Sequence, residues 1–105
     1  MNVELLWWEG CPSTEGALEA VREALSDLGL SNVEVHRREI ATDDDAQAAG
    51  FVGSPTILID GEDLVPAAAD ETIGLSCRVY RRRDGRISPI PDPDDLREAL
   101  QRARR

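Results

Sequence analysis

Two side chains in the chain can act as soft nucleophiles, Cys11 and Cys77. Cys11 stands in Gly10-Cys11-Pro12, directly after the apolar run Val3 to Trp8 and before a helical pattern. A cysteine at a strand-to-helix junction meets unpaired backbone N–H groups and the positive end of the helix dipole, and both favour thiolate over thiol. A free thiol with a pKa of about 8.5 is only about 3% ionised at pH 7, whereas one lowered to roughly 6.5 is about three quarters ionised. A helix terminus supplies at most about 2 kcal/mol, or roughly 1.5 pKa units. Glu9 opposes the shift if its carboxylate faces the sulfur. The plainer alternative is a small buried residue filling the strand-to-helix corner.

A second feature is Gly53-Ser54-Pro55-Thr56, a proline at the mouth of a strand. X–Pro bonds are the common sites of cis peptides, which are kept in tight turns. A cis bond here exposes the backbone groups of Ser54 for pairing with an extended ligand strand. Cys77 is the internal candidate partner for Cys11, provided their Cα atoms lie within roughly 7 Å. Two topologies remain open. If Cys77 to Arg82 pairs antiparallel with Ile57 to Asp60, Cys77 starts at the end of the sheet remote from Cys11. If the long loop returns to the active-site end and Arg86 to Ile90 is the pairing strand, Cys77 lies near Cys11. The alternative to a functional pairing is a buried or structural Cys77.

Composition removes other chemistries. All 12 basic residues are Arg, which excludes a Lys-centred enzyme, and the single His, His36, leaves little room for a His-centred triad. Two thiols and one imidazole fall short of a closed four-ligand zinc site, so neither a metal nor another cofactor is expected. With 21 acidic residues and a net charge of -9, the chain repels nucleic acid and anionic lipid. No run approaches the roughly 20 apolar residues that cross a bilayer, and the start lacks a signal-peptide pattern. The expected location is cytoplasmic, where two cysteines are more often reactive or buried than bridged.

The elements that must position these residues follow from periodicity. The 105 residues, 41% hydrophobic, suit one domain over 1–105. Val3 to Trp8 reads as an interior parallel strand. Leu18, Val21, Leu25 and Leu28 paint one stripe on a helix that starts at Pro12, with Cys11 at the N-cap and Gly29 as the stop. Val33 to Ile40 is a second strand. Thr42 caps a short helix that has Asp43 to Asp45 in its first turn and ends at Gly50. Ile57 to Ile59 forms a third strand ending in the turn Asp60-Gly61, and Gly61 to Gly74 a surface loop. Cys77 to Arg82 and Arg86 to Ile90 form a hairpin. Asp92 to Asp95 cap a last helix with Leu96, Ala99, Leu100 and Ala103 facing inward. The expected fold class is an α/β sandwich.

Taken together, Trp8 to Pro12, Phe51 to Thr56 and Gly74 to Tyr80 resemble the thioredoxin-like superfamily. More narrowly, they resemble small bacterial thioredoxin-like proteins that carry F/Y-x-G-C-P, F-x-G-S-P-T and G-L-x-C-R-x-Y. Some of those are selenoproteins, and some are labelled by similarity as alkylmercury lyases. The resemblance spans essentially the whole chain. It implies a three-layer sandwich, a mixed four-to-five-stranded sheet with helices on both faces, and a cis-proline loop facing the first cysteine. Where a dithiol member places its resolving cysteine this chain has Thr14, which excludes a disulfide from Cys11 to that position and leaves a hydroxyl to donate to the thiolate.

The leading expectation is a thiol–disulfide oxidoreductase with Cys11 as nucleophile on a disulfide, mixed disulfide or peroxide. Cys77 is then the second thiol, Pro12 and Thr14 shape the thiolate site, and Ser54, Pro55 and Thr56 hold the substrate. One alternative is a soft-metal or organomercurial handling protein using Cys11 and Cys77. Another is a non-catalytic binding module. The partner is a thiol or disulfide compound, and the chain a monomer or weak dimer. Other features read as structural: the Arg78 to Arg86 cluster guards a hairpin edge, one or both of Trp7 and Trp8 pack in the core, and His36 is solvated.

Overall fold

The computed structural model describes residues 1–64 and 73–104. Strand β1 (Val3–Trp7) takes the sheet interior because Val3, Leu5 and Leu6 demand cover on both faces, and all three are buried. It pairs in parallel with β2 (Val35–Glu39) and antiparallel with β3 (Thr56–Ile59), placing Leu5 opposite Arg37 on one side and Ile57 on the other. The turn Asp60-Gly61 returns the chain as β4 (Glu62–Asp63), antiparallel to β3. The result is a mixed four-stranded sheet in the order β2-β1-β3-β4.

Successive strand residues point to opposite faces, so the two core clusters lie on the two sides of the sheet. On one side Val3, Leu5, Ile57 and Ile59 meet Ala17, Leu18, Val21, Ala24 and Leu25 of α1 (Thr14–Asp27) and Leu96, Ala99 and Leu100 of α3 (Pro93–Ala103). On the other side Leu6, Ile40 and Phe51 gather around Ala46 of α2 (Asp43–Ala49). The molecule is thus a small α/β protein with three helices among the described residues. None of these helices is long and apolar enough to cross a membrane.

The helix ends follow the sequence signals with one exception. Gly29, at a φ of 71°, donates to Ser26 while Leu30 donates to Leu25, the paired bonds of a Schellman stop. Thr42 accepts from the Asp45 N–H, and Gly50 ends α2 in the left-handed region. Asp92 accepts from the Asp94 N–H at 2.9 Å ahead of Pro93. The exception is the start of α1. It begins at Thr14 with Ser13 at the N-cap, rather than at Pro12 with Cys11 at the N-cap. Residues 8 to 11 instead close a turn in which the Cys11 N–H donates to the Trp8 carbonyl at 3.1 Å. That local bond holds Cys11 in the turn and delays the helix by two residues.

Two further expectations are corrected. Glu62 and Asp63 of the anticipated loop form a strand, and most of the rest of that loop, 65–72, lies outside the described residues. The hairpin is shorter than its apolar pattern suggests, β5 (Tyr80–Arg81) with β6 (Ile87–Ser88), and it forms a separate two-stranded sheet. It cannot join β3 because β1 and β4 already occupy both edges of that strand.

Candidate functional site

β1 ends at the same edge of the sheet at which the antiparallel β3 begins, so the turn after β1 and the loop before β3 meet there. The Ser54–Pro55 bond is cis. The Ser54 hydroxyl accepts from the Trp8 N–H at 3.1 Å, and the Cys11 Sγ donates to the Ser54 carbonyl at 3.3 Å. Ser54 itself is fully buried, and Cys11 is only 4% exposed. Cys11 therefore lies under cover at the edge of the sheet, not open to solvent at a helix terminus. Trp8 and Trp7 are half-buried, and the Trp8 indole folds over Gly10, where a Cβ would meet the ring at 2.4 Å.

Cys77 reaches this place by a route that neither anticipated pairing provides. Ser54 and Cys77 form an isolated parallel bridge, with the Ser54 N–H donating to the Ser76 carbonyl and the Arg78 N–H donating to the Ser54 carbonyl, each at 2.8 Å. Gly53 permits the approach. Its φ is 147°, and a Cβ there would meet the Arg78 backbone at 2.8 Å. The segment is anchored by Arg78, which is 4% exposed and lies 2.7 Å from Asp63, 3.4 Å from the Thr56 hydroxyl and over the Tyr80 ring. Tyr80 in turn donates to the Pro55 carbonyl at 2.6 Å. Arg78 is accordingly a buried structural cation and not part of an exposed hairpin guard.

Both cysteines are free thiols, Cys11 buried and Cys77 exposed, so Cys77 is not the buried residue of the alternative reading. Burial works against ionisation of Cys11, but hydrogen bonding from the Cys77 thiol, from the backbone and side chain of Ser13 and from the Ser54 side chain outweighs it and sets Cys11 below the ordinary thiol value. The contact with the Ser54 carbonyl exists only while Cys11 is protonated, so it opposes those donors without overcoming them. Cys77 moves the other way, because its proton is held in the hydrogen bond to Cys11 and because burial and the charge on Cys11 disfavour a second anion.

The sequence-derived residues thus divide. Cys11, Cys77, Ser54, Pro55 and Thr56 come together, with the Thr56 hydroxyl turned inward to the Gly53 carbonyl at 2.6 Å. Pro12 is exposed in the turn. Thr14 does not serve the sulfur: its hydroxyl oxygen is buried and has no hydrogen-bond partner among the described residues. Ser54 does not offer free strand-pairing groups, since Ser76 and Arg78 take both.

Ser13, Arg78 and Tyr80 escape sequence reasoning. The preference of serine for N-caps could have flagged Ser13, whereas Arg78 and Tyr80 depend on partners far along the chain. Among the described residues no group of three or more His, Cys, Asp or Glu side chains is placed to hold a metal ion. Two surface depressions of about 400 and 460 Å³ lie elsewhere, beside β4 and α3 and beside β2, and include neither cysteine. No known protein family, curated protein or solved structure matches this chain.

Proposed function

We propose that the protein is a thioredoxin-like thiol–disulfide oxidoreductase in which Cys11 and Cys77 form the redox couple. The observation that carries this reading is that both cysteines converge on Ser54, Cys11 through its sulfur on the Ser54 carbonyl at 3.3 Å and Cys77 through the backbone bridge, with Cys11 biased toward thiolate and Cys77 toward thiol. The order β1-α1-β2-α2-β3-β4 followed by a last helix, with the sheet order β2-β1-β3-β4, supports the fold assignment.

The chemistry runs in two exchanges. The Cys11 thiolate attacks a substrate disulfide, forming a mixed disulfide on Cys11 and releasing one substrate thiolate. Cys77 then gives up its proton and attacks the Cys11 sulfur, which closes the Cys11–Cys77 disulfide and releases the second substrate thiolate. The substrate gains two electrons, and the two protein thiols lose them. A low-molecular-weight thiol or dithiol returns the pair to the reduced state. Cys77 thereby takes the part that Thr14 cannot play.

A glutathione mixed-disulfide assay tests the reading. Cys11→Ser abolishes turnover, and Cys77→Ser accumulates a mixed disulfide on Cys11 that mass spectrometry detects. Unchanged turnover in Cys11→Ser rules the reading out. The same pairing of sulfurs favours a second reading, two-coordinate capture of a thiophilic ion such as Hg(II). Tight one-to-one mercuric binding lost in either single serine variant, without disulfide turnover in the unaltered protein, supports that alternative.

A further inference from the structure

Resting on the redox reading of Cys11, we propose that this site takes small-molecule disulfides and excludes disulfides carried in extended polypeptide. An extended substrate strand would dock beside Cys11 by pairing with the backbone of Ser54, the residue whose carbonyl the Cys11 sulfur already contacts. In this protein that position is filled by its own chain. The Ser54 N–H is given to Ser76 and the Ser54 carbonyl receives Arg78, each at 2.8 Å, so residues 76–78 lie where the substrate strand would lie.

The segment is held firmly enough to resist displacement. Arg78 is buried and ion-paired with Asp63 at 2.7 Å, its guanidinium stacks 4.7 Å from the Tyr80 ring centroid, and its backbone packs against Gly53. Displacing residues 76–78 would break both Ser54 bonds and draw Cys77 away from Cys11, removing the thiol that must resolve the mixed disulfide. A polypeptide therefore cannot gain the strand pairing without disabling the second exchange. A compact disulfide needs no strand pairing, and the 4% exposure of Cys11 leaves little surface along which an extended chain could lie.

The test compares two glutathione mixed disulfides in the full-length protein, one with 2-mercaptoethanol and one with the cysteine of an unstructured extended peptide, each corrected for its uncatalysed rate. The expected kcat/KM is about tenfold or more higher for the small compound, because the peptide must order its chain beside Cys11, at about a factor of ten per residue fixed, with no pairing at Ser54 to offset that cost. Cys11→Ser abolishes both activities. Equal Cys11-dependent rates overturn the inference while leaving the redox reading intact. Rates that Cys11→Ser does not change overturn both. Hydrogen exchange gives an independent readout on unaltered protein: the Ser54 and Arg78 amides stay protected at saturating peptide, and deprotection by the peptide overturns the proposal.

Discussion

Ser54 and Cys77 meet in a parallel bridge that is detached from every other strand, and the Ser54 carbonyl accepts both the Arg78 N–H and the Cys11 thiol. One buried serine thus holds the two cysteines together through its backbone. The bridge does not form unless β3 delivers residues 53 to 55 to the edge where β1 ends, so the thiol pair depends on the register of the central strands. It also takes up both backbone groups of Ser54 within the chain itself.

The first prediction concerns ionisation. Thiolate absorbance against pH should show two steps, one below the ordinary thiol value and one above it. Cys77→Ala removes a donor from the thiolate and moves the Cys11 midpoint upward. The linked stability has a definite sign. The lowered value at Cys11 stabilises the fold above the unfolded thiol pKa, and that contribution is lost as pH falls through the lowered folded value. Cys77, raised in the fold, contributes below the unfolded value and loses that contribution as pH rises through its folded value. A single step at the ordinary value contradicts the pairing of the sulfurs.

Gly53→Ala places a Cβ 2.8 Å from the Arg78 backbone at a φ of 147° that L residues rarely adopt. The expected cost is about 1 to 3 kcal/mol in denaturant unfolding. Because the clash pushes residues 76–78 off Ser54, the Cys11 midpoint should rise in the same variant. A destabilised protein with an unmoved midpoint would mean that the bridge does not position Cys77.

Asp92 joins the hairpin to α3, since one carboxylate oxygen accepts from Arg83 N–H at 2.9 Å and the other from Asp94 N–H at 2.9 Å. Those bonds from Arg83 and Asp94, aided by the nearby Arg82 and Arg83 charges, hold its carboxyl below the usual range despite opposition from burial. Asp92→Ala should cost about 1 to 2 kcal/mol at neutral pH. The contribution is present above the unfolded carboxyl pKa and disappears as pH falls through the lowered folded value. Thermal unfolding of the unaltered protein and the variant should therefore converge in acid.

Thr14→Val removes a buried hydroxyl with no partner among the described residues. Stability should stay level or rise by up to about 1 kcal/mol, because an unsatisfied polar group costs more than its apolar replacement. The thiol titration should be unchanged. A shift in the Cys11 midpoint would restore Thr14 to the site from which the structure removes it.

Much of the fold was legible from local pattern. The apolar run of β1, the stripe of α1 with its stop at Gly29, the Thr42 cap and the Asp92-Pro93 start of α3 each rest on contacts within a few residues, where side-chain type constrains the backbone directly. The start of α1 was misplaced because the turn bond from Cys11 to Trp8 competes with the helix and leaves no mark in residue types. The short extent of β5 and β6 was equally hidden, since their apolar residues do not face the main sheet.

The amino-acid sequence by itself determined that two thiols are the available soft nucleophiles, that lysine chemistry is absent, and that Cys11 and Pro55 flank the ends of two strands. Only the tertiary structure decided that Cys77 comes to Ser54 beside Cys11, that Ser54 is already paired, and that the Thr14 hydroxyl makes no hydrogen bond to the sulfur. The physical reason is range. Helix caps and strand patterns are set by neighbours within one or two turns of chain, whereas the thiol pair is set by the Gly53-to-Arg78 backbone approach and by Arg78 pairing with Asp63, contacts between segments that residue order does not bring together.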